Sequence, residues 1–366
     1  MQRTLPPFRA DHVGSLLRPE RLKDARAKRA AGKITAAELK QIEDAEIRGV
    51  IAKQEAIGLC AVTDGEYRRA YWHFDFLSGL DGVEMVEAEG IKFAGVTSKA
   101  EAPYVKGKLG SRQHPQLKHF EFLKASTTRT PKMTIPSPSM LHYRGGRKMI
   151  DRAAYPTMEQ FYRDLGQAYS QVVRSFYDAG CRYLQLDDCS FAYLCDPAQR
   201  QMLKDRGDDP DKQGAIYAGM INAALEGRPK DLVVTTHVCR GNFRSTFIAS
   251  GGYAPIADLL FNTVNVDAYF LEWDSDRAGG FEPLRLLPKH KSVVLGLITS
   301  KTGTIENKDF VRRRIDEATK FVSLDQLCLS PQCGFASTEE GNVLAEDEQW
   351  AKLRLVTELA DEVWGR

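Results

Sequence analysis

The chain has 366 residues, 43% of them hydrophobic and 27% charged, with a formal net charge of +2. That length fits one large domain or two small ones, and the composition is that of a soluble globular protein. So balanced a charge gives no electrostatic case for nucleic acid or an anionic membrane, no apolar run approaches the roughly 18 residues of a membrane span, and MQRTLPPFRADHVGS lacks the apolar core of a signal peptide, so a cytoplasmic protein is expected.

Short apolar or β-branched runs recur along the chain. The first is ADHVGS (10–15). A helical stretch follows, AAELKQIEDAEIRGVIAKQEAIG, with Thr35 as N-cap and Glu38 placed for a capping box. LCAVTDGE (59–66) is the second run. Residues 70–130 then break the alternation with VEMVEAEGIKFAG and HFEFLKASTTRT, which predicts a β-rich insertion at the rim. KMTIPSPS (132–139) is the third run. The helical MEQFYRDLGQAYSQVVRSFYDAG stops at Gly180 before the fourth run, YLQLDD (183–188). KQGAIYAGMINAALEG precedes LVVTTHVC (232–239), which VNVDAYFLEW (264–273) and SVVLGLITS (292–300) follow. NKDFVRRRIDEATKFV leads into LCLSPQCG (327–334), and AEDEQWAKLRLVTELADEVWG closes the chain. Near-continuous apolar runs suit parallel strands buried on both faces. Eight of them alternating with helices predict an α/β fold, a single (β/α)₈ TIM barrel over residues 1–366 with an insertion after the second strand.

Chemistry in such a barrel sits at the C-terminal ends of the strands. The ends here carry His12 and Ser15, Asp64 and Glu66, Ser137 and Ser139, Asp187 and Asp188, His237 and Cys239, Glu272, Thr299 to Lys301, and Cys333. Alternate strand residues share a face, so His237 and Cys239 present an imidazole and a thiolate side by side. With Glu272 and Cys333 they form a two-sulfur, one-nitrogen, one-carboxylate set suited to tetrahedral Zn²⁺. No CxxC knuckle is present, which favours a catalytic ion over a structural one. The seven cysteines are scattered and odd in number, which reads as reduced thiols. Cys60, Cys181 and Cys328 read as small buried hydrophobes. Cys189 and Cys195 flank the carboxylate strand but are set aside for the better ligand set. Asp188 reads as a helix N-cap, Asp187 as a ligand contact.

These residues resemble the catalytic half of cobalamin-independent methionine synthase, in order along the whole chain. HVGS (12–15) is similar to the family segment that holds the amino acid substrate, which places Ser15 there. TDGE (63–66) supplies Glu66 at the position contacting homocysteine. QLDD (185–188) is similar to the family's Q-I-D-E, which implies that Asp187 receives the substrate ammonium. THVC (236–239), Glu272 and CG (333–334) match the zinc ligands. The length is that of one barrel, as in a short, single-barrel branch. Two positions depart from the family: Lys301 stands where it carries a proton-donating His, and His142 where it carries a folate-stacking Trp.

The resemblance implies a cytoplasmic, zinc-dependent methyltransferase of methionine biosynthesis. The acceptor is the thiol of homocysteine; the donor is methyltetrahydrofolate or another molecule. Ser15, Glu66, Asp187 and His142 are the expected substrate contacts, with Lys301 as candidate acid. The alternatives are alkyl transfer to another thiol, as in enzymes that open epoxides with coenzyme M, hydrolysis by zinc-bound water, and methyl receipt from a corrinoid partner. A homo-oligomer is compatible with the sequence.

Overall fold

The computed structural model describes residues 3–93 and 95–365. Its strands are β1 (Ala61–Val62), β2 (Asp81–Glu87), β3 (Lys92–Phe93), β4 (Val96–Thr97), β5 (Glu101–Gly110), β6 (Thr130–Pro136), β7 (Tyr183–Asp188), β8 (Val233–Val238), β9 (Ala268–Glu272), β10 (Ser292–Ile298) and β11 (Leu327–Pro331). Seven of them form one curled parallel sheet in the order β1-β6-β7-β8-β9-β10-β11. Strands β7, β9, β10 and β11 are buried at every residue, as their unbroken apolar runs require.

The eighth position belongs to residues 9–16, which form no strand. Ala10 makes a single parallel bridge to Leu329, with Asp11 N donating to Leu329 O and Leu329 N to Arg9 O. On the other side Thr63 Oγ1 donates to Gly14 O, and Leu16 N to Gly65 O. This segment thus spans the gap between β11 and β1. It is not a regular strand because the Asp11 carboxylate takes the Phe8 and His12 amides, and Gly14 sits at φ +137°. The run expected at 59–66 shortens to two residues for a similar reason. The Gln54 side chain accepts from Thr63 N and donates to Thr63 O, and Asp64 accepts from Glu66 N. Local side-chain bonds compete with the ladder and win.

Helices cover the outside. Thr35 and Glu38 form the expected reciprocal cap of Ala36–Ala56. Gly180, at φ +100°, ends Met158–Asp178. The insertion is an antiparallel hairpin, β2 with β5, carrying the smaller pair β3–β4 at its tip, followed by the helix Leu117–Ala125. No helix among the described residues is long and apolar enough to cross a membrane.

Candidate metal and substrate site

The ladders fix the site's register. Asp187 pairs with His237 across β7 and β8, and Val238 pairs with Leu271 across β8 and β9, so the next step sets Cys239 level with Glu272. Cys333 arrives two residues beyond β11. The ligand atoms of His237, Cys239, Glu272 and Cys333 all lie within 4.8 Å of one another, and all four residues are buried. The two sulfurs stand 3.6 Å apart. Two sulfurs bound to one zinc at about 2.3 Å and a tetrahedral angle are about 3.8 Å apart. Both His237 ring nitrogens are buried without a well-formed hydrogen bond, and the side chain that acts on the ring as a partner is Cys239, itself a member of the cluster. Such an orphan is costly unless something binds it. By sulfur spacing, donor set and orphaned imidazole, the cluster fits a tetrahedral metal ion.

The surroundings prepare these groups. Gly241 N donates to the Cys239 sulfur at 3.3 Å. The thiols of Cys189 and then Cys333 donate to Cys239 too, which holds Cys239 well below its ordinary range. The same contact pushes both donors up. Burial foremost, then Cys239, raises the Glu272 carboxyl to about 7. Glu272 is nevertheless oriented at both oxygens: Arg240 N donates to Oε1 at 2.8 Å and Arg277 pairs with Oε2 at 3.0 Å. Partners of this kind set ligand orientation, and losing one costs about 10–100-fold in metal affinity. Arg277→Gln is therefore expected to weaken zinc binding by about that factor, measured by competition with a chromogenic chelator.

Beside the cluster opens a small cavity of about 40 Å³ whose lining includes Ser15, Glu66, Asp187, His237, Cys239 and Cys333. Glu66 is held there in the left-handed region at φ +60°, after Gly65 at φ +66°. A glutamate at such φ is strained, and strain of this kind persists where the surroundings over-determine it. The Arg18 guanidinium does so, donating to the carbonyls of Glu66 and Arg69. Thr134 donates to Glu66 Oε1 at 2.8 Å and Arg69 pairs with the same oxygen at 3.3 Å, while Oε2 is buried without a partner. Asp187 accepts from Gln185 at 2.7 Å, and Gln185 is anchored on Val13 O. Burial foremost raises the Asp187 carboxyl to about 7, with His237 opposing and Glu66 adding to the rise. Gly334 is needed for close approach: a Cβ there would lie 1.9 Å from Ser15 Oγ.

Two expected site residues lie outside this lining. The His142 ring nitrogens face the hydroxyls of Tyr217 and Tyr162 at 3.0 and 3.4 Å, behind the wall. The Lys301 amine is shared among Gly241 O, Asn242 Oδ1 and Thr246 O at 3.1–3.3 Å, where it ties down the loop after β8. Asp188 accepts from Ser190 and Phe191 N at the start of a short helix, Ser190–Tyr193. Sequence reasoning did not single out Arg18, Arg69, Asn242 and Arg277. Their roles are contacts across distant loops, which no spacing in the chain reveals.

The sequence model of the cobalamin-independent synthase catalytic domain matches residues 8–361. The chain belongs to this family. It is 54% identical over 361 residues to the uncharacterized protein YxjH of Bacillus subtilis (strain 168), covering 98% of this chain and 95% of that one. A solved Listeria monocytogenes structure, provisionally assigned as a vitamin-B12 independent methionine synthase, is 42% identical, with TM-score 0.81 and full coverage of both chains. The methionine synthase of Saccharolobus solfataricus is 24% identical over 344 residues, 90% of this chain and 89% of its own. Matches that span most or all of both chains agree with a curled sheet whose strand ends carry the cluster.

Proposed function

We propose that this member of the cobalamin-independent synthase family transfers a methyl group to the thiol of homocysteine, giving methionine, with zinc held by His237, Cys239, Glu272 and Cys333. One observation carries the reading: the four ligand atoms lie within 4.8 Å of one another, beside a cavity shared with Ser15, Glu66 and Asp187. Held by these four residues, zinc would supply the acidity that keeps an incoming thiol as thiolate at neutral pH. Asp187 and the unpartnered Oε2 of Glu66 receive the substrate ammonium. The incoming cation also restores the ionised state of the Asp187 carboxyl, which burial opposes. Ser15 and neighbouring backbone N–H groups hold the substrate carboxylate. Fixing the amino acid at both charges aims its sulfur at the cluster, and that positioning supplies much of the acceleration. A sulfonated thiol without an ammonium would leave Glu66 Oε2 without a partner and bring no cation to Asp187, which disfavours coenzyme M as acceptor.

The test is X-ray absorption at the zinc edge with and without homocysteine. One zinc per chain that gains a sulfur neighbour at about 2.3 Å supports the reading. Zinc that ignores homocysteine and takes up another thiol moves the assignment to the wider alkyltransferase class. Asp187→Asn should keep its metal yet raise KM for homocysteine roughly 10- to 150-fold, the worth of one hydrogen bond to a charged group. Steady-state kinetics beside elemental analysis separates the two effects.

A further inference from the structure

Three features of the cavity wall have no part in binding the amino acid thiol. The first is Arg144. It donates one bond to Tyr193 Oη at 3.3 Å, its Nε has no partner, and no carboxylate among the described residues pairs with it. Burial acts most on its charge and opposes it, with Tyr193, Cys189 and then Tyr143 acting the other way, and the guanidinium lies 5.3 Å from the Tyr193 ring centroid. A half-buried guanidinium without a counter-charge calls for an anion from outside. The second is His73, 2% exposed, with both ring nitrogens buried and unpartnered. Its ring is tilted against those of Trp72 and Phe74, at 4.5 and 4.1 Å between centroids. Burial, then Arg144, holds it neutral, so one nitrogen donates and the other accepts. The third is aromatic: Trp72, Phe93 and Phe243 line the same cavity as the cluster, the two phenylalanine rings 5.2 Å apart.

We propose that this wall binds a small onium carboxylate, a sulfonium or quaternary ammonium centre carrying a carboxylate, as the alkyl donor. The onium centre lies against Trp72, Phe93 and Phe243; the carboxylate lies on Arg144 and a His73 N–H. Aromatic faces attract such cations through the ring quadrupole, and caged quaternary centres are their best-known guests. The acceptor thiolate and the anionic cluster ligands draw the same cation inward. This inference rests on the thiol-methylation reading above.

The proton inventory agrees. Methyl transfer from an amine needs an acid for the leaving nitrogen, and the three contacts of Lys301 occupy its amine. An onium donor needs none. The acceptor thiolate's electron pair forms the new S–CH₃ bond. The C–S⁺ bond of a sulfonium breaks with its pair returning to sulfur, and a neutral thioether leaves. No proton, oxidant or reductant enters. A larger cavity of about 680 Å³ lies beyond Arg144 and Ile91, and none of the four cluster residues lines it.

The test is calorimetric titration of the zinc-loaded protein with 3-(dimethylsulfonio)propionate, trimethylsulfonium and propionate. The zwitterion should bind at least about tenfold more tightly than either fragment, the worth of one charge-assisted contact. Arg144→Gln should lower zwitterion affinity to that of trimethylsulfonium without weakening trimethylsulfonium, and Trp72→Leu should weaken both cations. Unchanged zinc content checks that each variant is folded. In parallel, methyl transfer to homocysteine is compared between this sulfonium and 5-methyltetrahydrofolate. Zwitterion affinity no better than that of its fragments, or a higher kcat/KM with the folate, overturns the donor proposal and leaves the homocysteine reading standing. Transfer from the sulfonium to a thiol other than homocysteine keeps the donor site and refutes the acceptor.

Discussion

Cys333→Ser protein should fold, purify without zinc and show no measurable methyl transfer. Cys333 is 3% exposed and delivers its sulfur 3.6 Å from that of Cys239. Serine has nearly the same shape, so packing survives, but a hydroxyl is a far poorer zinc ligand than a soft thiolate. Partners one step removed from a metal are worth about 10–100-fold in affinity, and a direct ligand should exceed that. Cys328→Ser is the matched control. That thiol is also fully buried, but it faces Pro7 O at the opposite end of β11, so its loss should leave zinc and turnover intact. Elemental analysis per chain, with turnover on the same preparations, reads both outcomes. One zinc per chain and wild-type turnover in Cys333→Ser would sink the metal assignment.

The four-residue cluster was legible because each of its members obeys a local rule. His237 and Cys239 are two apart on one strand, and Glu272 and Cys333 close later runs, so barrel topology alone brings them together. Ser15, Glu66 and Asp187 were legible for the same reason and line one cavity. What the chain does not display is contact between loops. Cys189 stands just past β7, and only folding sets its thiol against Cys239. Arg144 and His73 lie 71 positions apart in the chain, yet both face the cavity from the rim. Lys301 and His142 were aligned with reacting positions of the family. In the fold three acceptors hold the Lys301 amine, and two tyrosine hydroxyls face the His142 ring, contacts that alignment alone does not display. The insertion was legible as β-rich, and its tip reaches the cavity through Ile91 and Phe93. The first strand was the main misreading of regular structure, and its causes are Gly14 at φ +137° and the Asp11 carboxylate.

That carboxylate sets the largest stability effect expected of a single change. Asp11 accepts from Lys132 Nζ at 3.1 Å, Tyr183 Oη at 2.8 Å, His12 N at 2.8 Å and Phe8 N at 3.2 Å. The Asp11 and Lys132 side chains are fully buried. Lys132 also lies over the Phe270 and Tyr183 rings, at 4.1 and 4.8 Å from their centroids. Asp11→Ala removes the carboxylate paired with this ammonium and orphans two backbone amides where the barrel closes. Breaking a buried pair from one side costs about 3–5 kcal/mol. The pH dependence follows from Lys132. Burial lowers its pKa and Asp11 raises it, so the variant's folded-state pKa falls further below the unfolded value. Between those values the unfolded chain binds more protons, so the variant gains stability as pH rises. The deficit against wild type should therefore shrink from pH 7 toward pH 10. Asp11→Ala/Lys132→Met, with no charge left to strand, should recover a large part of the loss at pH 7. Urea unfolding of the three proteins across that range measures all of this. A double variant no more stable than Asp11→Ala would show that the lost amide contacts, and not the stranded ammonium, dominate the cost.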